Sequence, residues 1–126
     1  MQAFQKLIDI AKKLRDKKHG CPWDQKQTIK SMLPHLQSEI KEVAAAVKKQ
    51  DWKNLEEELG DVLLNVAMIS QIAAEEKKFT MAGVLRCVNR KVKERHTWVF
   101  GKDRSKVKTA EQALAIWTAN KRKEKR

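Results

Sequence analysis

Two acidic pairs interrupt the apolar pattern in the middle of this 126-residue chain: Glu39 with Glu42, and Glu58 with Asp61. Each pair is spaced i, i+3, so its members are neighbours on one helix surface. Lys48 to Lys53 reads as the connection between two helices, with residues 39 and 61 each 11 positions from residue 50 and residues 42 and 58 each 8 away. In an antiparallel hairpin the two pairs therefore fall at the same height, roughly 12–17 Å from the turn at 1.5 Å per residue. At about 100° per residue, Glu39 and Glu42 lie roughly 65° and 125° from their apolar stripe, and Glu58 and Asp61 roughly 70° and 130° in the same sense. Facing helices of opposite direction then project all four carboxylates onto one side. Such a cluster repels itself and raises its own pKa values unless something positive sits within it. Hard divalent cations, Mg²⁺ above all with Mn²⁺ as a substitute, are bound by such oxygens and keep waters for a substrate to displace. Either pair alone reads as a solvated helix face; the coincidence of height and side is what favours a metal site.

The elements that must hold these groups are helical throughout. Four Gly, two Pro and apolar residues at three- and four-residue spacing predict an all-α fold, a small four- to five-helix bundle. The spacing predicts a first helix over Gln2 to Lys18, stopped by His19-Gly20-Cys21-Pro22. Thr28 or Ser31 can cap a second, with Pro34 in its first turn, where a missing N–H costs nothing. Asp51 caps a third, and Thr80 a fourth that fades near Phe100-Gly101. Thr109 and Gln112 have the spacing of a capping box opening a last helix with Leu114 and Trp117. The whole chain, 1–126, reads as one domain, with 121–126 a frayed basic tail.

Charge separates along the chain. The formal net charge is +12, yet residues 80–126 carry 14 Lys+Arg against 4 Asp+Glu, while residues 36–76 carry 4 against 9. A plain nucleic-acid binder predicts the basic end but not the acidic middle; a cation site beside a polyanionic ligand predicts both. The longest uncharged stretch in the middle, Val62 to Ala74, is too short to span a bilayer, so no membrane association is expected. Lysines appear early and no signal peptide is visible, and Cys21 and Cys87 are far apart without a CxxC partner. These features predict a cytoplasmic protein without a disulfide or zinc framework. No glycine-rich phosphate loop occurs, and Ser38 has no visible base to make it a nucleophile.

Gly20-Cys-Pro-Trp-Asp-Gln-Lys-Gln-Thr28, Ser38-Glu-Ile-Lys-Glu42 and Glu58-Leu-Gly-Asp61, followed by Lys91 to Arg95-His96, Val99-Phe100-Gly101 and Trp117 with Lys121, resemble the MazG family of nucleoside triphosphate pyrophosphohydrolases. The likeness covers nearly the whole chain in order. It implies an all-α fold, homodimers or dimers of dimers, and Mg²⁺-dependent hydrolysis of NTPs or dNTPs to a monophosphate and pyrophosphate. It also implies that Glu39, Glu42, Glu58 and Asp61 bind metal, that Lys91 and Arg95 hold phosphates, and that Trp117 and Lys121 contact the nucleotide. Three positions depart from the family pattern. Ser38 stands where the family has Glu, Ile29 where it has His, and Thr97-Trp98 where it has Pro-His. These bear on catalytic rate and base preference.

The residues support this chemistry on their own terms. Lys91 and Arg95 are spaced i, i+4 on one helix face, as sharing a polyphosphate requires, and an Arg can grip two oxygens. Trp23 either touches a base or shields the site, or else anchors its loop on the bundle. The favoured reading is an enzyme that clears unwanted nucleotides. The alternative is a catalytically weak or inactive helical module that uses its basic C-terminal third on nucleic acid, marked by salt-sensitive binding without turnover.

Overall fold

Local caps decide where the longest helices begin and end. The structure is a computed structural model that describes residues 2–104 and 106–124. Its helices are α1 (Gln2–Leu14), α2 (Pro22–Gln25), α3 (Ile29–Lys49), α4 (Trp52–Glu75), α5 (Met81–Arg95), α6 (Thr97–Phe100) and α7 (Ala110–Glu124). Five are long and two are single turns, and no strand occurs among the described residues, in line with the all-α expectation. No described helix is long and apolar enough to cross a membrane. The chain forms two compact units, Met1–Met81 and Ala82–Arg126.

In the first unit, Thr28 and Ser31 act together rather than as alternatives. The Thr28 hydroxyl accepts from Ser31 N–H at 3.0 Å, and Thr28 N–H donates to the Ser31 hydroxyl at 2.8 Å, a reciprocal box that satisfies two donors. Because α3 therefore starts at Ile29, Pro34 lies in its second turn, not its first as the spacing suggested. Gln50 ends α3 in the left-handed region at φ 55°, and Asp51 then caps α4 by accepting from Asn54 N–H at 3.2 Å. This two-residue reversal folds α3 back along α4, and α1 packs on α4 as well. The core is small: Ala11, Met32, Ala67, Met68 and Ile72, with Leu7, Leu14, Ile29, Leu64 and Ile69 against it.

The first helix stops at Leu14, four residues short of the predicted Lys18. The chain turns back here because Asp16 accepts from Lys18 and His19 N–H at 2.8 and 2.9 Å, while Cys21 N–H returns to Leu14 O at 2.9 Å. Gly20 sits inside this turn, where a Cβ would collide with the carbonyl oxygens of Leu14 and Asp16, so close approach dictates glycine. Arg15, freed from the helix, becomes the clamp of the unit. Its guanidinium donates to Asp24 O at 2.7 Å and Gln27 O at 2.8 Å, and pairs with Glu75 at 2.6 and 3.0 Å. One side chain thus ties the end of α1 to the loop that carries α2 and to the last turn of α4.

The second unit has its own tie. Arg95 at the end of α5 pairs with Glu124 of α7 at 2.9 Å, and Asn120 Nδ2 donates to Arg95 O at 3.3 Å and Thr97 Oγ1 at 3.1 Å. The Thr109–Gln112 box opens α7 as expected, with Gln112 N–H to the Thr109 hydroxyl at 3.2 Å. The helix runs on to Glu124, so 121–124 are helical where a frayed tail was expected, because Glu124 has a partner 29 residues away. Residues 125–126 of that expected tail lie outside the described residues.

Arg15→Met is expected to lower the unfolding free energy by about 2–3 kcal/mol, since a charged hydrogen-bonding group and its carbonyl partners are lost together. Urea denaturation measures this. The Arg15 guanidinium also holds the Glu75 carboxyl below its ordinary 4.5. That contribution is present above pH 4.5 and is lost as the pH falls through the lowered folded-state value. Wild-type stability should therefore fall more steeply than that of Arg15→Met between about pH 5 and 3; parallel curves would remove the ion pair from this role.

Candidate metal centre

The hairpin reversal brings α3 and α4 side by side with their acidic positions facing the same region. One carboxylate oxygen each from Glu39, Glu58 and Asp61 lies within 4.8 Å of the others. Glu39 and Glu58 are half-buried and Asp61 is exposed. Glu42, expected as a fourth member, is exposed and outside this trio, although its charge still acts on Glu58.

Like charges this close are costly. The Glu58 carboxyl is raised from 4.5 to about 7, first by a hydrogen bond shared with Glu39, then by burial and the negative charges of Glu39, Asp61 and Glu42. Glu39 Oε2 is buried and accepts no hydrogen bond. Both features fit a divalent cation. Around an octahedral Mg²⁺ with bonds of about 2.1 Å, ligand oxygens lie roughly 3 Å apart when adjacent and 4.2 Å when opposite. Separations within 4.8 Å are compatible with that spacing, and the all-oxygen donor set suits Mg²⁺ or Mn²⁺ rather than a soft metal.

Beside the trio is a cavity of about 160 Å³ within the first unit, to which Glu39 contributes a wall. Met32, Leu64 and Met68 give it an apolar lining. Trp23 and His35 flank it, their rings edge to face at 5.1 Å between centroids. Trp23, which the sequence left as either a substrate contact or a loop anchor, lines a cavity next to the carboxylates, and half of its surface remains exposed. Asp24 and Asn65 complete the lining. Sequence spacing did not single out Asn65, Asp24 or His35 as site residues. The available signal was Asn65 itself, a polar residue in the apolar run of α4 one turn beyond Asp61.

In the second unit, the guanidinium of Arg95 and the ammonium of Lys121 both lie over the Trp117 ring, at 5.7 and 5.0 Å from its centroid. Lys91 is half-buried one turn before Arg95 on α5. Its charge, with that of Arg95, depresses the Glu124 carboxyl below its ordinary range, the Arg95 hydrogen bond being the largest cause. Arg95 and Lys121 thus share one indole, and Arg95, Arg90 and Lys91 act on one carboxylate. Ser38 is exposed on α3 beside Glu39.

Comparison with known proteins agrees with these features. The MazG nucleotide pyrophosphohydrolase domain matches residues 27–100, a span that crosses the boundary between the two units. The nucleoside triphosphate pyrophosphohydrolase of Escherichia coli K12 is 34% identical over 125 residues, 99% of this chain and 47% of that protein. A Thermotoga maritima protein named nucleoside triphosphate pyrophosphohydrolase/pyrophosphatase MazG is 44% identical over 98 residues, 78% of this chain and 38% of its own length. The chain therefore spans about half the length, or less, of these curated relatives. The crystal structure of a mazG-related protein from T. maritima superposes with a TM-score of 0.76 at 33% identity, covering 97% of this chain and 99% of that one. Motif order, helical architecture and the family match agree, and the chain belongs to the MazG nucleotide pyrophosphohydrolase family.

Proposed function

We propose that this chain hydrolyses nucleoside or deoxynucleoside triphosphates to the monophosphate and pyrophosphate, using a divalent cation, Mg²⁺ or Mn²⁺, held by Glu39, Glu42, Glu58 and Asp61. The observation that carries this reading is the trio of carboxylate oxygens within 4.8 Å of one another, one member of which has a buried, unpartnered oxygen. The names of the relatives support the reaction class. When bound, the cation would polarise phosphoryl oxygens and lower the pKa of an attacking water. Glu39, Glu58 and Asp61 supply its first oxygens, and the exposed Glu42, one turn along α3, completes the set. Lys91 and Arg95 neutralise the phosphates, with Trp117 and Lys121 against the nucleotide. Arg95 is engaged by Glu124 in this structure, so a triphosphate competes with that carboxylate for the same guanidinium. In this proposal residues 1–126 act as one functional domain.

The active form we propose is a homodimer or a dimer of dimers. Ile40 and Val47 of α3 and Leu59 and Leu63 of α4 are each about half exposed, an apolar display that association of helices would cover. Both cysteines are free thiols, which suits a reducing cytoplasm.

Mg²⁺ or Mn²⁺ should raise the melting temperature in a concentration-dependent way, and Glu58→Gln should lose most of that gain without lowering the melting temperature measured in chelator. An equal gain in both proteins would count against the carboxylate site. Incubation with a full panel of NTPs and dNTPs should release pyrophosphate from at least one, and Glu39→Gln should reduce the rate by a hundredfold or more. Silence across the panel with either metal defeats the proposal. Sedimentation should give a mass of two or four chains, and Leu59→Lys should shift it toward the monomer.

A further inference from the structure

The second unit holds an anion site that the protein fills with a carboxylate of its own. Glu124, the last residue of α7, accepts from Arg95 Nε at 3.3 and 3.1 Å and from Nη2 at 2.9 Å. The two side chains are only 17% and 18% exposed. A guanidinium offers the same planar fork to a carboxylate and to a phosphate, so Glu124 covers an edge of Arg95 that a phosphate could grip. Arg90 and Lys91 act on this carboxylate as well, so three cations of α5 bear on one internal anion. The helix itself gives no reason for the residue. A negative charge at a helix C-terminus opposes the macrodipole, which Lys121, Arg122 and Lys123 in the same turn suit instead.

The contact can open without parting the helices. Asn120 joins α7 to the end of α5 on its own account, with Nδ2 donating to Arg95 O at 3.3 Å and to Thr97 Oγ1 at 3.1 Å. Trp117 adds a second tie, its ring lying against the Arg95 guanidinium and the Lys121 ammonium. Release of Arg95 therefore asks only that one terminal side chain swing away. Until it does, Glu124 competes as a tethered ligand, at an effective concentration on the order of millimolar. Every free anion that uses this edge of Arg95 is weakened by the same factor. A ligand with one phosphoryl group has few contacts with which to make up that loss, whereas a triphosphate has more groups to set against the surrounding cations.

Resting on the pyrophosphohydrolase reading, we infer that Glu124 is an autoinhibitory latch: it occupies Arg95 in the place of a substrate phosphate, and a polyphosphate must displace it before the guanidinium can serve. Glu124 thereby sets the concentration at which the site fills. It also acts after the reaction, because the carboxylate returns to Arg95 as a singly phosphorylated product leaves.

Calorimetry on the full chain, in chelator and at fixed ionic strength, tests this with tripolyphosphate as the probe, so that affinity is read without metal or turnover. Glu124→Gln should bind tripolyphosphate at least fivefold more tightly than the wild type. Glu111→Gln removes one exposed negative charge from the first turn of the same helix and should change the affinity less than twofold. Glu124→Asp keeps the charge but shortens the reach to Arg95, and should still gain at least twofold. In an Arg95→Gln background, Glu124→Gln should gain no more than the Glu111→Gln control. Helical circular dichroism should be unchanged in the Glu124 variants, because Asn120 still holds α7. An equal gain from Glu111→Gln and Glu124→Gln overturns the latch, as does a wild-type affinity in Glu124→Asp or a full gain in the absence of Arg95. The latch and the activity fail separately. Pyrophosphate release from a triphosphate with no gain in Glu124→Gln keeps the activity and removes the latch, whereas the fivefold gain with no pyrophosphate from any triphosphate keeps the latch and removes the activity.

Discussion

One guanidinium organises the first unit. Arg15 reaches the backbone of the loop after Gly20 through Asp24 O and Gln27 O, and its other edge grips Glu75. Its side chain is only 10% exposed, so these bonds replace water that the group has given up, and partial replacement would be worse than none. Everything the loop carries depends on this anchorage. Thr28 caps α3 one residue beyond Gln27, and Trp23 and Asp24 form part of the cavity lining beside Glu39. A lysine could not do the same, because a point charge cannot fork between two carbonyls and a carboxylate.

Against that anchorage stands a deliberate conflict. Two antiparallel helices could have shed their acidic residues to solvent, but here three carboxylates meet and one is left near neutrality in its proton affinity. The hairpin tolerates this because its stability comes from elsewhere, from Met32, Met68 and Ile72 in the core and from caps at Thr28 and Asp51. Local disagreement with the rules of a stable fold, held in place by agreement everywhere else, is where function is expected.

The sequence exposes such a pattern when the cause is local. Asp51, the apolar stripes and the equal spacing from residue 50 were enough to bring Glu39 to Glu58 and Asp61. The Thr109–Gln112 box was legible for the same reason. What escaped was set by partners distant along the chain. Arg15 leaves α1 early for bonds with Gln27 and Glu75, and α7 continues past Asn120 because Glu124 finds Arg95. The single-turn α2 is too short to show periodicity, and Glu42 stays outside the trio because its exposed side chain has no packing to turn it inward. Asn65 was visible as an interruption in an apolar run, yet the bond from its amide to Asp61 O was not.

The two-residue reversal at Gln50–Asp51 also sets an order of assembly. Glu39 and Asp61 are joined by a short excursion of chain, whereas Arg15 and Glu75 are 60 residues apart. Closing the longer loop costs about 0.9 kcal/mol more in chain entropy, so the hairpin is the natural nucleus and the Arg15 clamp a later event. Charge repulsion among the carboxylates therefore acts on the earliest native structure to form. A protein of this design meets its electrostatic penalty before its anchorage exists, and the ionic conditions around a nascent chain bear on how fast it folds as well as on what the finished molecule does.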